Sequence, residues 1–351
     1  MQLEEILTKI KPLDEAAMRS AHVRQDILTK PRGSLGRLEE LSIQLAGITA
    51  NPFPSMEHKA VIVMAADHGV VLEGVSAYPA EVTPQMVLNF LRGGAAINVL
   101  ARQAGARVIV VDMGVAADLT DTSGKLISHK MGLGTANLAK GPAMTREQAT
   151  ESIQSGIEIA EAEIRRGVDI LATGDMGIGN TTASAAIACA LMNQIPEEIA
   201  GRGTGVDDDG LKRKIDVIAH SLEVNRPNGK DALDVLAKVG GFEIGGLVGV
   251  ILASAANRKP VVVDGFISTA AAMLAVSLAP TARDYLIAAH VSQERGHKLM
   301  LEWLGLNPLL DMNLRLGEGT GAALAFHLIE AAARILCEMA TFDEAGVTDK
   351  E

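Results

Sequence analysis

Aromatic side chains are scarce in this 351-residue sequence, which has one Trp, two Tyr and six Phe. A jelly roll or an immunoglobulin-like sandwich draws on more of them for its core, so neither is expected. Cysteine is sparse too. Cys189 and Cys337 stand in Ala-rich apolar runs, as small core hydrophobes rather than a disulfide framework or zinc site, which fits a cytoplasmic location. Positive charge is in deficit: 32 Lys and Arg against 43 Asp and Glu leave a net charge of −11, which repels a phosphate backbone and argues against a nucleic-acid partner. Long hydrophobic runs are missing. The longest, Ile244 to Ala256, is too short and Gly-rich to span a bilayer, and Met1 to Leu7, with Glu4 and Glu5, lacks the basic start of a signal peptide. No membrane partner is expected.

Small and apolar residues are plentiful. The chain holds 35 Gly and is 48% hydrophobic against 21% charged, enough core for one large domain or two smaller ones. Over residues 1–57, Leu38, Leu41, Leu45 and Ile48 recur at spacings of three and four, which predicts helix, and Asn51-Pro52-Phe53-Pro54 ends it. From Lys59 the pattern changes to short continuous apolar runs, each closed by a polar or Gly-rich turn: Ala60–Ala66, Val108–Val111, Ile170–Thr173, Val261–Val263 and Leu286–Ala289. Continuous rather than alternating runs are those of parallel strands buried on both faces. The intervening segments fit crossover helices; Leu211, Ile215, Ile218 and Leu222 share one helical face, and Asn180–Met192 is nearly all small or apolar. The fold class is therefore α/β, a doubly wound, mainly parallel, Rossmann-like sheet, with ligands expected beyond the carboxyl ends of the strands. Gly321–Met339 predicts a helix with no strand after it. Residues 58–320 are expected to form the α/β catalytic domain, and 1–57 with 321–345 a small helical subdomain.

Three Gly-rich loops carry candidate chemistry. Gly174-Asp175-Met176-Gly177-Ile178-Gly179-Asn180-Thr181-Thr182 leaves a strand and enters a helix, the arrangement in which glycines admit an anion to unpaired backbone amides. A plain turn with Thr181 as the helix cap fits the same residues. The loop matches neither a Walker motif nor the dinucleotide fingerprint. Gly201-Arg202-Gly203-Thr204-Gly205 precedes Asp207-Asp208-Asp209 and then Lys212-Arg213-Lys214, three cations at a helix start that call for an anion, whether a ligand or the Asp cluster itself. Leu314-Arg315-Leu316-Gly317-Glu318-Gly319-Thr320-Gly321 presents one carboxylate between glycines, either a general base open to close approach or a solvated turn residue. Asp67, His68, Asp264 and His290, at strand ends, are residue types that suit a divalent cation, but none has the spacing of a zinc motif. His297, on a polar stretch, is expected to be solvated.

Together these segments resemble the nicotinate-nucleotide:dimethylbenzimidazole phosphoribosyltransferase family. The markers are Lys30-Pro31-Arg32-Gly33-Ser34-Leu35-Gly36-Arg37-Leu38, Ala66-Asp67-His68-Gly69-Val70, Phe90-Leu91-Arg92-Gly93-Gly94-Ala95-Ala96-Ile97-Asn98, and the three Gly-rich loops, in order along nearly the whole chain. The resemblance implies transfer of phosphoribose from nicotinate mononucleotide to 5,6-dimethylbenzimidazole in a homodimer, without metal or other cofactor. It places the general base on Glu318 and the donor's phosphate and ribose on Gly177, Ile178, Gly179, Asn180, Thr181, Gly203 and Lys214. The acceptor base falls to Ser76–Met86, through Tyr78, Pro79, Glu81, Gln85 and Met86, together with Leu316. Where the family carries Glu, this chain has Asp175, a second carboxylate one methylene shorter. Two other classes fit parts of the pattern: a metal-dependent phosphoesterase built on Asp67, His68, Asp264 and His290, and a nucleotide-binding protein that needs no Glu318.

Overall fold

The structure, a computed structural model, describes residues 1–119 and 124–348. Six parallel strands form the central sheet: β1 (Lys59–Ala66), β2 (Ala106–Gly114), β3 (Leu126–Ser128), β4 (Ile170–Met176), β5 (Val261–Val263) and β6 (Leu286–Ala288), in spatial order β3-β2-β1-β4-β5-β6. All five expected strands are present. A separate parallel pair, β7 (His290–Ser292) and β8 (Leu310–Leu314), lies beyond the end of β6.

Every residue of β1 is buried, because its two side-chain rows enter different cores. Ala60, Ile62, Met64 and Ala66 face one layer with Ile153, Ile157 and Leu247, from helices Arg146–Arg165 and Phe242–Ala256. Val61, Val63 and Ala65 face the other with Leu41, Leu45, Val87, Ile97 and Phe326, from helices Arg37–Thr49, Val82–Arg92, Ala96–Gln103 and Thr320–Glu338. The abundance of Gly has a packing reason here: a Cβ on Gly156 would lie 1.9 Å from the Gly246 carbonyl oxygen, so these two helices meet backbone to backbone.

The N-terminal segment forms helices Leu3–Lys9, Glu15–Ile27 and Arg37–Thr49. The last two pack with Thr320–Glu338, where Ala17, Ala21, Ala46 and Leu336 share a small cluster. Among the described residues one helix, Thr320–Glu338, is long and apolar enough to cross a membrane, and more than half of it is buried inside the protein.

Candidate active site

Strand order reverses between β1 and β4, and ligands of doubly wound sheets bind at such a point beyond the carboxyl ends. The residues after β1, β4 and β5 and the turn before helix Thr320–Glu338 meet there. Glu318 forms the centre of that turn. It has φ +63°, between Gly317 at +82° and Gly319 at +89°, and is buried rather than solvated. Its Oε2 accepts a long hydrogen bond from the Ile97 N–H, 3.4 Å away. Burial raises its pKa, and the Ile97 amide offsets part of the rise.

Asp175 lies against the same turn, since a Cβ on Gly317 would be 3.3 Å from Asp175 Oδ2. That oxygen accepts from Asn180 Nδ2 at 2.9 Å, whereas the buried Oδ1 has no partner. Burial first, then the charges of Asp264 and Glu243, drive Asp175 well above the usual carboxylate range. Burial likewise pushes Asp264 up to about 7, against the opposing pull of backbone amides at the start of helix Thr320–Glu338. The site is thus an acidic pocket in which burial holds the carboxyls of Glu318, Asp175 and Asp264 toward their protonated forms.

The loop after β4 makes a tight strand-to-helix turn. Gly179 has φ +94° and forms the N-cap of helix Asn180–Met192 without a side-chain cap; the Asn180 and Thr182 N–H groups bond to the Gly177 and Gly179 carbonyls at 3.1 and 3.0 Å. Ile178 N–H donates to Thr83 Oγ1 at 3.1 Å, which ties the loop to helix Val82–Arg92. Thr181 is not the cap. Its hydroxyl accepts from Lys214 Nζ at 2.8 Å, and a Cβ on Gly203 would lie 2.7 Å from that hydroxyl and 3.0 Å from Nζ. Gly203, Thr181 and Lys214 therefore meet at one point, with Lys214 buried and its pKa pushed down to about 8 by that burial. The Asp cluster and the cations after it part company: Asp207 caps helix Asp208–Asn225 through the Gly210 N–H, Asp208 pairs with Arg202, and Lys214 turns inward.

The segment expected to line an acceptor pocket runs beside these loops. Ser76 Oγ lies 3.2 Å from Thr204 Oγ1, which also accepts from the Ala77 N–H at 3.1 Å. Tyr78, Pro79, Glu81, Gln85 and Leu316 are exposed, and Met86 is half-buried. Among the described residues no hydrogen bond joins any of these six to Glu318.

The four residues considered for a cation separate into two pairs. Asp67 Oδ2 accepts from the Ala116 N–H at 2.8 Å, and His68 Nε2 is 2.5 Å from Glu243 Oε1, both side chains fully buried. Asp264 is engaged by backbone amides, and His290 Nδ1 stands 3.9 Å from it. Among the described residues no group of three or more His, Cys, Asp or Glu side chains is placed to hold a metal ion. His297 is fully buried, contrary to the expectation of a solvated ring. Its Nδ1 accepts from the Ser292 N–H at 2.8 Å, so Nε2 carries the hydrogen and donates to Thr269 Oγ1 at 2.9 Å. Three contributors escape a reading of the sequence: Thr83, the Ile97 amide and Glu243. For Glu243 a signal exists, a lone carboxylate in the apolar helix Phe242–Ala256; a backbone amide leaves none.

Residues 10–347 match the profile of a family described as "Phosphoribosyltransferase". The nicotinate-nucleotide–dimethylbenzimidazole phosphoribosyltransferase of a Roseiflexus species is 62% identical over 348 residues, 99% of this chain and 98% of that protein. The enzyme of the same name from Desulforudis audaxviator is 60% identical over 346 residues, 99% of this chain and 98% of its own length. A crystal structure of CobT from Thermus thermophilus superposes with a TM-score of 0.92 at 52% identity, covering 95% of this chain and all of that one. Fold and kinship coincide over almost the full length, and the chain belongs to the nicotinate-nucleotide–dimethylbenzimidazole phosphoribosyltransferase family.

Proposed function

We propose that this chain transfers phosphoribose from nicotinate mononucleotide to 5,6-dimethylbenzimidazole, giving α-ribazole 5′-phosphate and nicotinate, a step in assembling the nucleotide loop of cobalamin. The observation that carries the reading is the buried Glu318 carboxylate, in a left-handed turn between two glycines, beside an amide-rich loop with a buried lysine.

The chemistry asks for little else. The donor's pyridinium nitrogen is positively charged, so when its bond to the anomeric carbon breaks it keeps the electron pair and leaves as a neutral ring. One nitrogen of the benzimidazole attacks that carbon from the opposite face, which inverts the β-linked donor to an α-linked product. The proton on the other nitrogen passes to the Glu318 carboxylate. A raised pKa suits a group that must accept a proton near neutrality. Gly177, Ile178, Gly179, Asn180, Thr181, Gly203 and Lys214 hold the donor's phosphate and ribose. Asp175 is the second carboxylate near the ribose. Tyr78, Pro79, Glu81, Gln85, Met86 and Leu316 bound the acceptor pocket. The enzyme works as a homodimer in the cytoplasm.

Mass spectrometry of the purified chain with both substrates tests this directly, the expected product being α-ribazole 5′-phosphate. Glu318→Gln is expected to lower kcat by ~10²–10⁴, the usual worth of a positioned general base, with donor binding nearly intact. Wild-type turnover in that variant would remove Glu318 from the mechanism.

A further inference from the structure

Asp264 is the first residue after β5, and its side chain is wholly buried. A carboxylate is kept in such a place by donors to its oxygens. Here both oxygens are engaged: the Gly319 N–H donates to Oδ2 at 3.2 Å and the Ala322 N–H to Oδ1 at 2.9 Å. Gly319 directly follows Glu318, and Ala322 lies in the first turn of helix Thr320–Glu338, whose N-cap glycine has no side chain to satisfy those amides. Asp264 thus performs from 55 residues away the task of a local N-cap aspartate, its two oxygens accepting from amides at the amino end of the helix.

The turn needs such a hold. Gly317, Glu318 and Gly319 all occupy the left-handed region, which a glutamate seldom adopts. Its other fixings are a hydrogen bond from Thr320 Oγ1 to the Gly317 carbonyl at 2.8 Å and contact with β4, where a Cβ on Gly174 would lie 2.5 Å from the Glu318 carbonyl oxygen. Asp264 is itself anchored, its N–H donating to Thr173 Oγ1 on β4 at 3.3 Å. The neighbouring His290 is kept neutral by burial, its pKa pushed down to about 4, so it supplies no cation to compete with the amides.

We propose that Asp264 is a positioning residue of the reaction: by accepting from the Gly319 and Ala322 amides it locks the Gly317–Glu318–Gly319 turn and sets the Glu318 carboxylate against the acceptor's N–H. The assignment rests on Glu318 being the general base. Asp264 is wholly buried with both oxygens taken by those amides, so its part is to position rather than to react.

A double-mutant cycle tests it. Asp264→Asn keeps the volume and one acceptor but turns an NH₂ group against a backbone N–H, so one of the two bonds is lost. Expected is a fall in kcat of about 10–10²-fold, the scale of a misplaced catalytic group, with the KM for nicotinate mononucleotide within about twofold of wild type. In a Glu318→Gln background the same substitution should change kcat by less than about twofold, because the group it positions is already gone. A merely structural residue would lower stability and subtract equally in both backgrounds. Asp264→Ser, smaller and able to accept one bond, carries the same cycle should Asp264→Asn fail to fold. A folded variant with wild-type kcat, or additive losses in the double variant, overturns the proposal. A crippled Glu318→Gln beside a fully active Asp264→Asn defeats Asp264 alone, whereas a fully active Glu318→Gln defeats the assignment of the base as well.

Discussion

Lys214 is a cation set deep in the protein beside the Thr181 hydroxyl, and burial has moved its pKa down to about 8. A phosphate placed there stabilises the ammonium form, so the donor and the proton bind together. The sign follows: below about 8 the lysine already carries its proton, and above it each pH unit weakens donor binding about tenfold. The KM for nicotinate mononucleotide should therefore be level from pH 7 to about 8 and climb beyond, while that for the benzimidazole stays flat. Lys214→Met should abolish the break and raise the donor KM by about 10–100-fold, the worth of a charged hydrogen bond. Steady-state kinetics from pH 7 to 9.5 decide it, and a pH-independent donor KM in the wild type would count against Lys214 as the phosphate ligand. The family resemblance singles out Lys214, whereas the run of three cations by itself does not. Helical periodicity does, since Gly210, Lys214, Ile218, Ser221 and Asn225 form the buried stripe of their helix, one position away from the apolar set that catches the eye. Asp264 is hidden for a different reason: its partners are backbone amides, which every residue but proline has.

At the level of elements, the strand-to-helix turn at Gly179 is both a conformational and a steric requirement. Its φ of +94° is costly for any L side chain, and a Cβ there would meet Val71 Cγ2 at 2.8 Å and His68 Cβ at 3.3 Å. Gly167, with φ +88° and nothing within 4 Å, shares the first requirement without the second. Comparing the two separates them. Gly167→Ala should cost about 1–2 kcal/mol of stability from the backbone alone and leave the donor KM unchanged. Gly179→Val should cost more and raise the donor KM, because the anion loop is displaced from its seat on His68. Equal donor affinity in a folded Gly179→Val, measured by titration calorimetry, would place the phosphate elsewhere. The five strands of continuous apolar sequence are legible because burial on both faces leaves no room for polar residues. Three short ones are not. Leu126–Ser128 and His290–Ser292 are three residues each, and Leu310–Leu314 is exposed at Asp311, Met312 and Asn313, so none carries a periodic signal. The crossover helix Asn180–Met192 reads clearly for a related reason: it is mostly buried, and beyond its hydroxylated first turn and Ser184 it is made of small and apolar residues.

At the scale of the whole molecule, the segment from Lys30 to Leu38 divides into a part explained within the chain and a part that is not. Lys30 turns inward to a buried ion pair with Glu39 Oε1 at 2.9 Å, and Glu39 also accepts from the Leu35 N–H at 3.0 Å. Pro31, Arg32, Gly33 and Ser34 instead stand exposed in a turn, with open space around Gly33 at φ +74°. The turn is closed from within by the Ser34 N–H donating to the Pro31 carbonyl and the Gly36 N–H to that of Gly33, both at 3.1 Å, so a defined shape with exposed residues is presented outward, where it suits a symmetric partner, and closed two-fold dimers are the commonest homo-oligomers. Deleting residues 1–36 would not test this cleanly. The deleted helices are bound into the fold, Tyr285 donating to the Lys11 carbonyl and Arg24 to that of Leu336, and their loss would bare core positions vacated by Ile6, Ala21 and Leu28. Substitution within the exposed turn avoids that damage. Sedimentation velocity of the wild-type chain at assay concentration should give twice the mass of one chain. Arg32→Glu combined with Ser34→Glu, which sets two carboxylates against a surface meant for a partner, should shift it toward monomer and lower turnover, while circular dichroism shows the fold kept. Wild-type protein sedimenting as a monomer would end the dimer hypothesis, and a doubly substituted protein that stays dimeric and fully active would move the interface away from this turn.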